Sequence, residues 1–532
     1  MKDGRMYIGD ALTLTTVPAL LTARAEANPD DRFVGFGDES VSYGQMRARA
    51  EQAAASLATA GVGRGDRVAI MLPNCLEFLD IWFGAALLGA VFVPVNMGLK
   101  GDGLRYVVEH CEPQVIVVDE SVVATLRAAL PEGATPAFCF VRGTAFPGWA
   151  SLSHFLAGSY AAPRLPAVSS DEPASVLYTS GTTGPPKGVL NCHNAYATAA
   201  YEFTQRCVRV RGDDVLYTSL PLFHVNAQML TTCGSLVSGR PMVLAPRFSA
   251  SGFLEDLRRT GATVFNYIGA MLTMIAKQPE QTADADNRVR LAVGGAAPEA
   301  LWPAFEKRFG LRLLEIYGLT ETATFCLGSP PDDIRVGKLG LPTSWSEVRV
   351  LRSDGTEAAD GEPGEIVIRS KRPDVLFHGY FKNSAATQAA MTLGWFHSGD
   401  RGRRDPDGYF VYLDRLKDSI RRRGENISSY EVEQIVNAHP SVAECAAIGV
   451  PSPLGEEDVL IVAVPKPGAD HLDPAQLVAF CGERMAPFMV PRYVRYVDQL
   501  PKTATERVQK YVLRGVGTAG SWDREALNTD IA

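Results

Sequence analysis

Short apolar runs alternate with segments of helical periodicity through the first four hundred residues. That alternation restricts the chain to layered α/β folds, in which buried parallel strands are covered by helices. Residues 43–60 set apolar side chains three and four apart, as one face of a helix does. The run 68–72 follows and is closed by Pro73-Asn74, then 75–88 is helical and 91–95 reads as a strand. Further strands are expected at 115–118, 215–219, 242–245, 264–267 and 291–294. After about residue 335 the pattern changes. The runs 348–351, 364–369 and 408–413 alternate polar with apolar residues, and Asp354-Gly355 and Asp407-Gly408 supply turns. A smaller, more antiparallel β-rich subdomain is predicted there. From about Asp418 the pattern is helix (429–438), strand (444–450), strand (458–465), helix (474–485) and a basic tail, enough for a separate α+β domain. The expected organisation is α/β: a large layered domain over 1–414, and a small mobile domain over 415–532 beyond a short hinge at Asp414–Asp418.

Composition excludes several function classes. The chain has 532 residues, 46% apolar and 21% charged, which is a globular balance. Its net charge of −8 argues against wholesale electrostatic binding to nucleic acid. Nine scattered cysteines, with no CxxC pair, form neither a disulfide framework nor a zinc site. The longest apolar stretch, 81–95, is closed by Pro94 and falls short of the roughly 20 residues a membrane helix needs. It reads as a buried helix running into a strand. The first residues include Asp3 and Asp10 and no apolar core of a signal peptide, so a cytoplasmic protein is expected.

The segment Tyr178-Thr-Ser-Gly-Thr-Thr-Gly-Pro-Pro-Lys-Gly188 follows an apolar run, and a helical pattern comes after it. Glycines let backbone approach an anion, and consecutive N–H groups and hydroxyls cradle phosphate oxygens. Lys187 adds a point charge. The spacing is not that of a Walker A loop.

This segment resembles the phosphate loop of the ANL superfamily of adenylate-forming enzymes, which includes acyl-CoA synthetases, peptide-synthetase adenylation domains and luciferases. The resemblance extends over nearly the whole chain. Leu220-Pro-Leu-Phe-His224, Gly294-Gly-Ala-Ala-Pro298, Tyr317-Gly-Leu-Thr-Glu321, Trp395-Phe-His-Ser-Gly-Asp400 and Asp414-Arg415 followed by Arg423-Gly-Glu-Asn-Ile427 appear in the family's order. Within the superfamily the chain looks most like the crotonobetaine/carnitine-CoA ligase-like acyl-CoA synthetases.

The resemblance implies two half-reactions: a carboxylate attacks the α-phosphate of ATP and expels pyrophosphate, and a thiol, usually that of coenzyme A, then takes the acyl group. It implies the ANL fold and roles for particular residues. Thr179, Ser180, Gly181, Thr182, Thr183 and Gly184 hold the β- and γ-phosphates, with Lys187 nearby. Glu321 binds Mg²⁺ together with the Thr183 hydroxyl. Tyr317, Gly318 and Thr320 lie on one side of the adenine, and the backbone of Gly295, Ala296 and Ala297 on the other. Asp400 and Arg415 meet the ribose. His224 gates the acid pocket and orients the carboxylate, which needs no deprotonation at pH 7. Lys417 is the hinge, and Arg423, Gly424 and Glu425 face coenzyme A.

One departure stands out. Where the family reads Pro-Lys-Thr-x-Thr-Gly-Lys, this chain reads Pro501-Lys-Thr-Ala-Thr-Glu-Arg507, so Arg507 occupies the catalytic lysine position. Arg507 serves adenylation itself, or Lys510 on the same face of a helix does so, or that step differs from the usual one. In the acid pocket, Phe223, His224, Tyr267 and Phe325 imply a compact aromatic wall, and Gly269 and Gly294 leave room opposite. A short, aromatic or acrylic acid is expected, with the acid and coenzyme A as partners and no nucleic acid. The alternative is a different acceptor: a carrier protein, or nitrite activation for diazotisation of an aryl amine. The oligomeric state stays open.

Overall fold

The computed structural model describes residues 14–130, 138–144, 146–179, 186–416, 418, 420–422, 425–452, 456–468, 472–485, 487–503 and 507–526. These pack as two compact units: residues 14–179, 186–348 and 368–396 form the first, and 349–367 and 397–526 the second.

Among its described residues the first unit holds two large sheets. In spatial order, the seven-stranded one runs Ala150–Ser151, Phe138–Arg142, Val115–Asp119, Arg67–Met71, Val91–Pro94, Pro173–Thr179 and Lys187–Cys192. Every pairing is parallel except the last. In the nine-stranded sheet, Arg312–Tyr317, Leu291–Gly295, Val264–Ile268, Leu216–Thr218, Met242–Leu244 and Arg32–Phe36 form a parallel core. Val91–Pro94 and Val115–Asp119 are buried at every residue, which is why they read as unbroken apolar runs. Each strand expected in this region is present, to within a residue or two at its ends.

The helices explain themselves locally. Tyr43–Thr59 starts with a capping box, the Ser42 hydroxyl accepting from Gln45 N–H and the Gln45 side chain from Ser42 N–H. Its alanine face, with Ala53 and Ala54 wholly buried, meets the helix Leu76–Leu87. A Cβ on Gly84 would stand 2.7 Å from the Ala53 methyl, so glycine there lets the two backbones close up. Asp80, buried in the same helix, takes a two-point contact from Arg49 at 2.7 and 2.6 Å. The apolar stretch 81–95 is indeed this helix followed by the strand Val91–Pro94.

The sequence pattern puts a helix after the Gly/Thr loop, and a strand intervenes. Lys187–Cys192 pairs antiparallel with Pro173–Thr179, Thr179 facing Lys187, and the helix starts only at His193. Val189 and Cys192 are fully buried in that pairing, and a short apolar run does not by itself tell strand from helix.

The antiparallel strands after residue 335 are also there. Ser346–Leu351 alternates buried with half-buried residues, and Trp395–Arg404 pairs antiparallel with Phe410–Arg415. The second unit further contains a four-stranded sheet in the order Val442–Pro451, Glu457–Pro465, Tyr493–Tyr496, Trp522–Asp523. Alternate residues of its long strands enter opposite cores. Ala447, Val459, Ile461 and Ala463 pack with Val432, Val436 and Leu477 of the helices Ser429–Asn437 and Pro474–Gly482. Ala446, Ile448, Leu460 and Val462 pack with Leu513 of the helix Lys510–Val516. The division between units falls within the strands Ser346–Leu351 and Trp395–Arg404.

Candidate active site

In the first unit, Thr179 and Lys187 face each other at the end of the antiparallel pair, the Thr179 hydroxyl donating to the Lys187 carbonyl at 3.4 Å. Ser180, Gly181, Thr182, Thr183 and Gly184 lie outside the described residues. The Lys187 ammonium sits 4.7 Å above the centre of the Tyr380 ring. The Tyr380 hydroxyl donates to Glu321 Oε1 at 2.9 Å. Glu321 is 7% exposed and lies in the short turn Thr320–Thr322 after the strand Arg312–Tyr317. The Phe377 N–H holds its backbone carbonyl at 2.9 Å. An ammonium, a phenol and a buried carboxylate thus converge.

The backbone around this point is tightly packed. A Cβ on Gly318 would stand 2.4 Å from Phe325 Cα. Ala323 and Thr324 have φ of 47° and 76°, a left-handed pair that alanine and threonine seldom adopt and that functional sites often hold. Tyr317 is 9% exposed, which leaves only a sliver of its ring for a ligand.

The strand Leu291–Gly295 delivers Gly294, Gly295, Ala296 and Ala297 to one turn. Ala296 is exposed with φ of 62°. A Cβ on Gly294 would stand 2.0 Å from the Tyr267 carbonyl and 2.7 Å from its ring, and one on Gly269 1.8 Å from the Ala296 carbonyl. These glycines permit close backbone contact and do not open a space. Tyr267 and Phe325, expected as pocket walls, are 0% and 1% exposed and present no surface. The Tyr267 hydroxyl turns inward, donating to Glu315 Oε2 at 3.1 Å. Phe223 and His224 are half-buried with ring centres 4.7 Å apart, and the wide-turned helix Asn226–Thr232 follows them.

Among the described residues no three His, Cys, Asp or Glu side chains gather to hold a metal. A buried carboxylate such as Glu321 suits Mg²⁺, which keeps water and substrate phosphates in its shell and takes one or two protein carboxylates.

In the second unit, Asp400 and Arg415 stand opposite each other across the two strands, and Arg415 Nε lies 2.7 Å from Asp400 Oδ1. The neighbouring Asp414 accepts from the backbone N–H of Ser429 and from its hydroxyl. Lys510 donates to the Ser429 hydroxyl at 2.6 Å and pairs with Glu433 Oε1 at 2.9 Å. Burial pulls the Lys510 pKa down, but the carboxylates of Glu433, Asp414 and Asp418 outweigh it and hold the ammonium above the usual lysine value. Arg507 is exposed, and its backbone closes a turn with Thr503. The helix begins only at Lys510, so the two cations do not share a helical face as the spacing suggests.

Lys417, Arg423 and Gly424 lie outside the described residues, and of Glu425 only the backbone is described, facing Arg422 in a two-stranded ribbon. Arg422 is buried against Asp458 at 2.9 Å, a structural contact. Sequence reading missed Tyr380, Glu315, Glu433 and Ser429. Tyr380 is 59 residues from Glu321, and no short-range pattern links them.

Comparison with known proteins places the chain in a family. The AMP-binding enzyme family matches residues 21–381, and the AMP-binding enzyme C-terminal domain matches 431–507. The sulfoacetate–CoA ligase of Cupriavidus necator is 34% identical over 504 residues, covering 94% of this chain and 97% of that protein. The crotonobetaine/carnitine–CoA ligase of Salmonella choleraesuis is 32% identical over 487 residues, covering 89% and 93%. The crystal structure of the anthranilate CoA ligase AuaEII with anthranoyl-AMP superimposes with a TM-score of 0.86 at 25% identity, covering 96% of this chain and 99% of that one. The chain therefore belongs to the AMP-binding enzymes of the ANL superfamily, on the side of the acyl-CoA synthetases.

Proposed function

We propose that this protein is an AMP-forming acid–CoA ligase that uses ATP, Mg²⁺ and coenzyme A. A carboxylate oxygen bonds to the α-phosphorus of ATP as the bond to pyrophosphate breaks. The coenzyme A sulfur then bonds to the acyl carbon, its proton is lost, and AMP leaves. The observation that carries the reading is Glu321, a buried carboxylate bonded to Tyr380 beside Lys187, in a chain matched over nine-tenths of its length by an acid–CoA ligase.

Each step accumulates charge on phosphate or carbonyl oxygens, so the site needs cations and N–H groups more than a base. Glu321, with Thr183, would hold Mg²⁺, which would offset the negative charge of the triphosphate. The loop Thr179–Gly184 and Lys187 hold the outer phosphates. Tyr317, Gly318, Thr320 and the turn Gly295–Ala297 enclose the adenine, and Asp400 and Arg415 bind the ribose. His224 orients the carboxylate, and Arg507 supplies the positive charge at the α-phosphate. The segment 414–418, with Lys417, is the hinge between half-reactions. Arg423, Gly424 and Glu425 meet coenzyme A. We assign the protein to the cytoplasm, where both nucleotide substrates are available.

The acid is short, aromatic or acrylic. Tyr267 and Phe325 are closed off, and the half-buried rings of Phe223 and His224 are the aromatic surface proposed to meet it. Acid-dependent release of AMP tests the assignment. Glu321→Ala is expected to lower it by a factor of about 10²–10³, the scale for losing one charge stabiliser. Near-normal turnover in that variant would remove Glu321 from the site.

A further inference from the structure

The roles above leave the buried acid Glu315 without a task. Glu315 sits in the strand Arg312–Tyr317, two residues before Tyr317, and is 6% exposed. Its Oε1 accepts from the Ala296 N–H at 2.5 Å, and its Oε2 from the Ala297 N–H at 3.3 Å and the Tyr267 hydroxyl at 3.1 Å. The Tyr267 hydroxyl also reaches the Leu314 carbonyl at 3.3 Å. One phenolic hydrogen is shared between these two acceptors. Burial pushes the Glu315 pKa up to about 8, against the pull of the two amides and the Tyr267 hydroxyl.

The segment above Glu315 needs holding. Ala296 has φ of 62° and is exposed, so its own side chain does not hold it in that conformation. A left-handed alanine persists only where neighbours over-determine it. Two contacts do so. The Ala296 carbonyl lies so close to Gly269 that a Cβ there would stand 1.8 Å away. Its N–H is taken by Glu315 from beneath.

We propose that Glu315 is the positioning residue of the turn Gly295–Ala297: by accepting from the amides of Ala296 and Ala297 it fixes the surface that meets the nucleotide. The proposal rests on the reading that this turn faces the adenine, and adds the residue that sets its shape. Glu315 touches no substrate and acts through the backbone. It therefore governs nucleotide affinity and leaves the chemical step and the coenzyme A site alone.

The test uses the full chain and two probes that do not depend on the acceptor: calorimetric binding of AMP, and hydrogen exchange at residues 295–297. In Glu315→Leu the amides of Ala296 and Ala297 are expected to lose protection. AMP binding should weaken about tenfold, and the KM for ATP should rise by a similar factor while the KM for coenzyme A holds. Glu315→Gln keeps the acceptor for Ala296 but sets an NH₂ against the Ala297 N–H. It should retain protection at Ala296, lose it at Ala297, and weaken AMP binding about threefold, a partial rescue. Should the leucine variant not fold, the glutamine variant carries the test alone. Unchanged exchange at both amides overturns the proposal. Lost protection with unaltered AMP binding also overturns it, because the turn then does not face the nucleotide. Failure of the parent enzyme to make a thioester leaves both readouts intact and bears on the acceptor alone.

Discussion

Arg507 and Lys510 carry the same charge three residues apart, and their surroundings give them different work. Lys510 is 14% exposed at its side chain and is bonded to Glu433 and Ser429, with Asp414 bonded to the same serine. It ties the helix Lys510–Val516 to the helix Ser429–Asn437, whose first serine is in turn held by Asp414. Removing one member of a buried ion pair strands the other charge and costs about 3–5 kcal/mol. Lys510→Met is therefore expected to lower the unfolding free energy of the second unit by about 3 kcal/mol, read from urea titration. Arg507→Ala should leave the urea midpoint where it is and reduce AMP formation about a hundredfold. The opposite pattern, a stable Lys510 variant that no longer adenylates, would move the catalytic charge back to Lys510.

At the scale of elements, the strands and helices were readable wherever burial was one-sided or complete. The parallel strands Val91–Pro94 and Val115–Asp119 appear as bare apolar runs because both faces are covered. The amphipathic helix Tyr43–Thr59 announces itself through its cap and its alanine spacing. Two things were not readable. The strand Lys187–Cys192 looked like the start of a helix because its partner lies across a loop, and pairing is not a local property. The residues of the site that sequence missed, Tyr380 and Glu315, act through contacts made by folding: Tyr380 meets Glu321 from 59 positions away, and Glu315 reaches Ala296 from 19. Motif order does not tell which residues are enclosed, as Tyr267 and Phe325 demonstrate. Helix packing offers a test at this scale. Gly84→Ala gains about 1 kcal/mol of helix propensity but drives a methyl to 2.7 Å from Ala53 and 2.9 Å from Ala54 N. Overpacking of that kind costs about 1–3 kcal/mol, more where backbone is struck, so the variant is expected to be less stable in urea than the parent. A rise in its midpoint would mean that the two helices part easily.

For the whole molecule, each unit brings its own share of the proposed chemistry. The first holds Glu321, Tyr380, Lys187, His224 and the Gly295–Ala297 turn. The second holds Asp400, Arg415 and Arg507. The two family models match 21–381 and 431–507. No helix among the described residues is long and apolar enough to cross a membrane. The central claim is that one chain forms an acyl-adenylate and hands the acyl group to coenzyme A. Mass spectrometry of the products tests it most directly, with the full chain incubated with ATP, Mg²⁺, coenzyme A and a pool of short, aromatic and acrylic acids. The account predicts a new coenzyme A thioester, formed together with AMP and pyrophosphate, from one or a few of those acids. AMP and pyrophosphate without any thioester would contradict it and move the acceptor to a carrier protein or an amine.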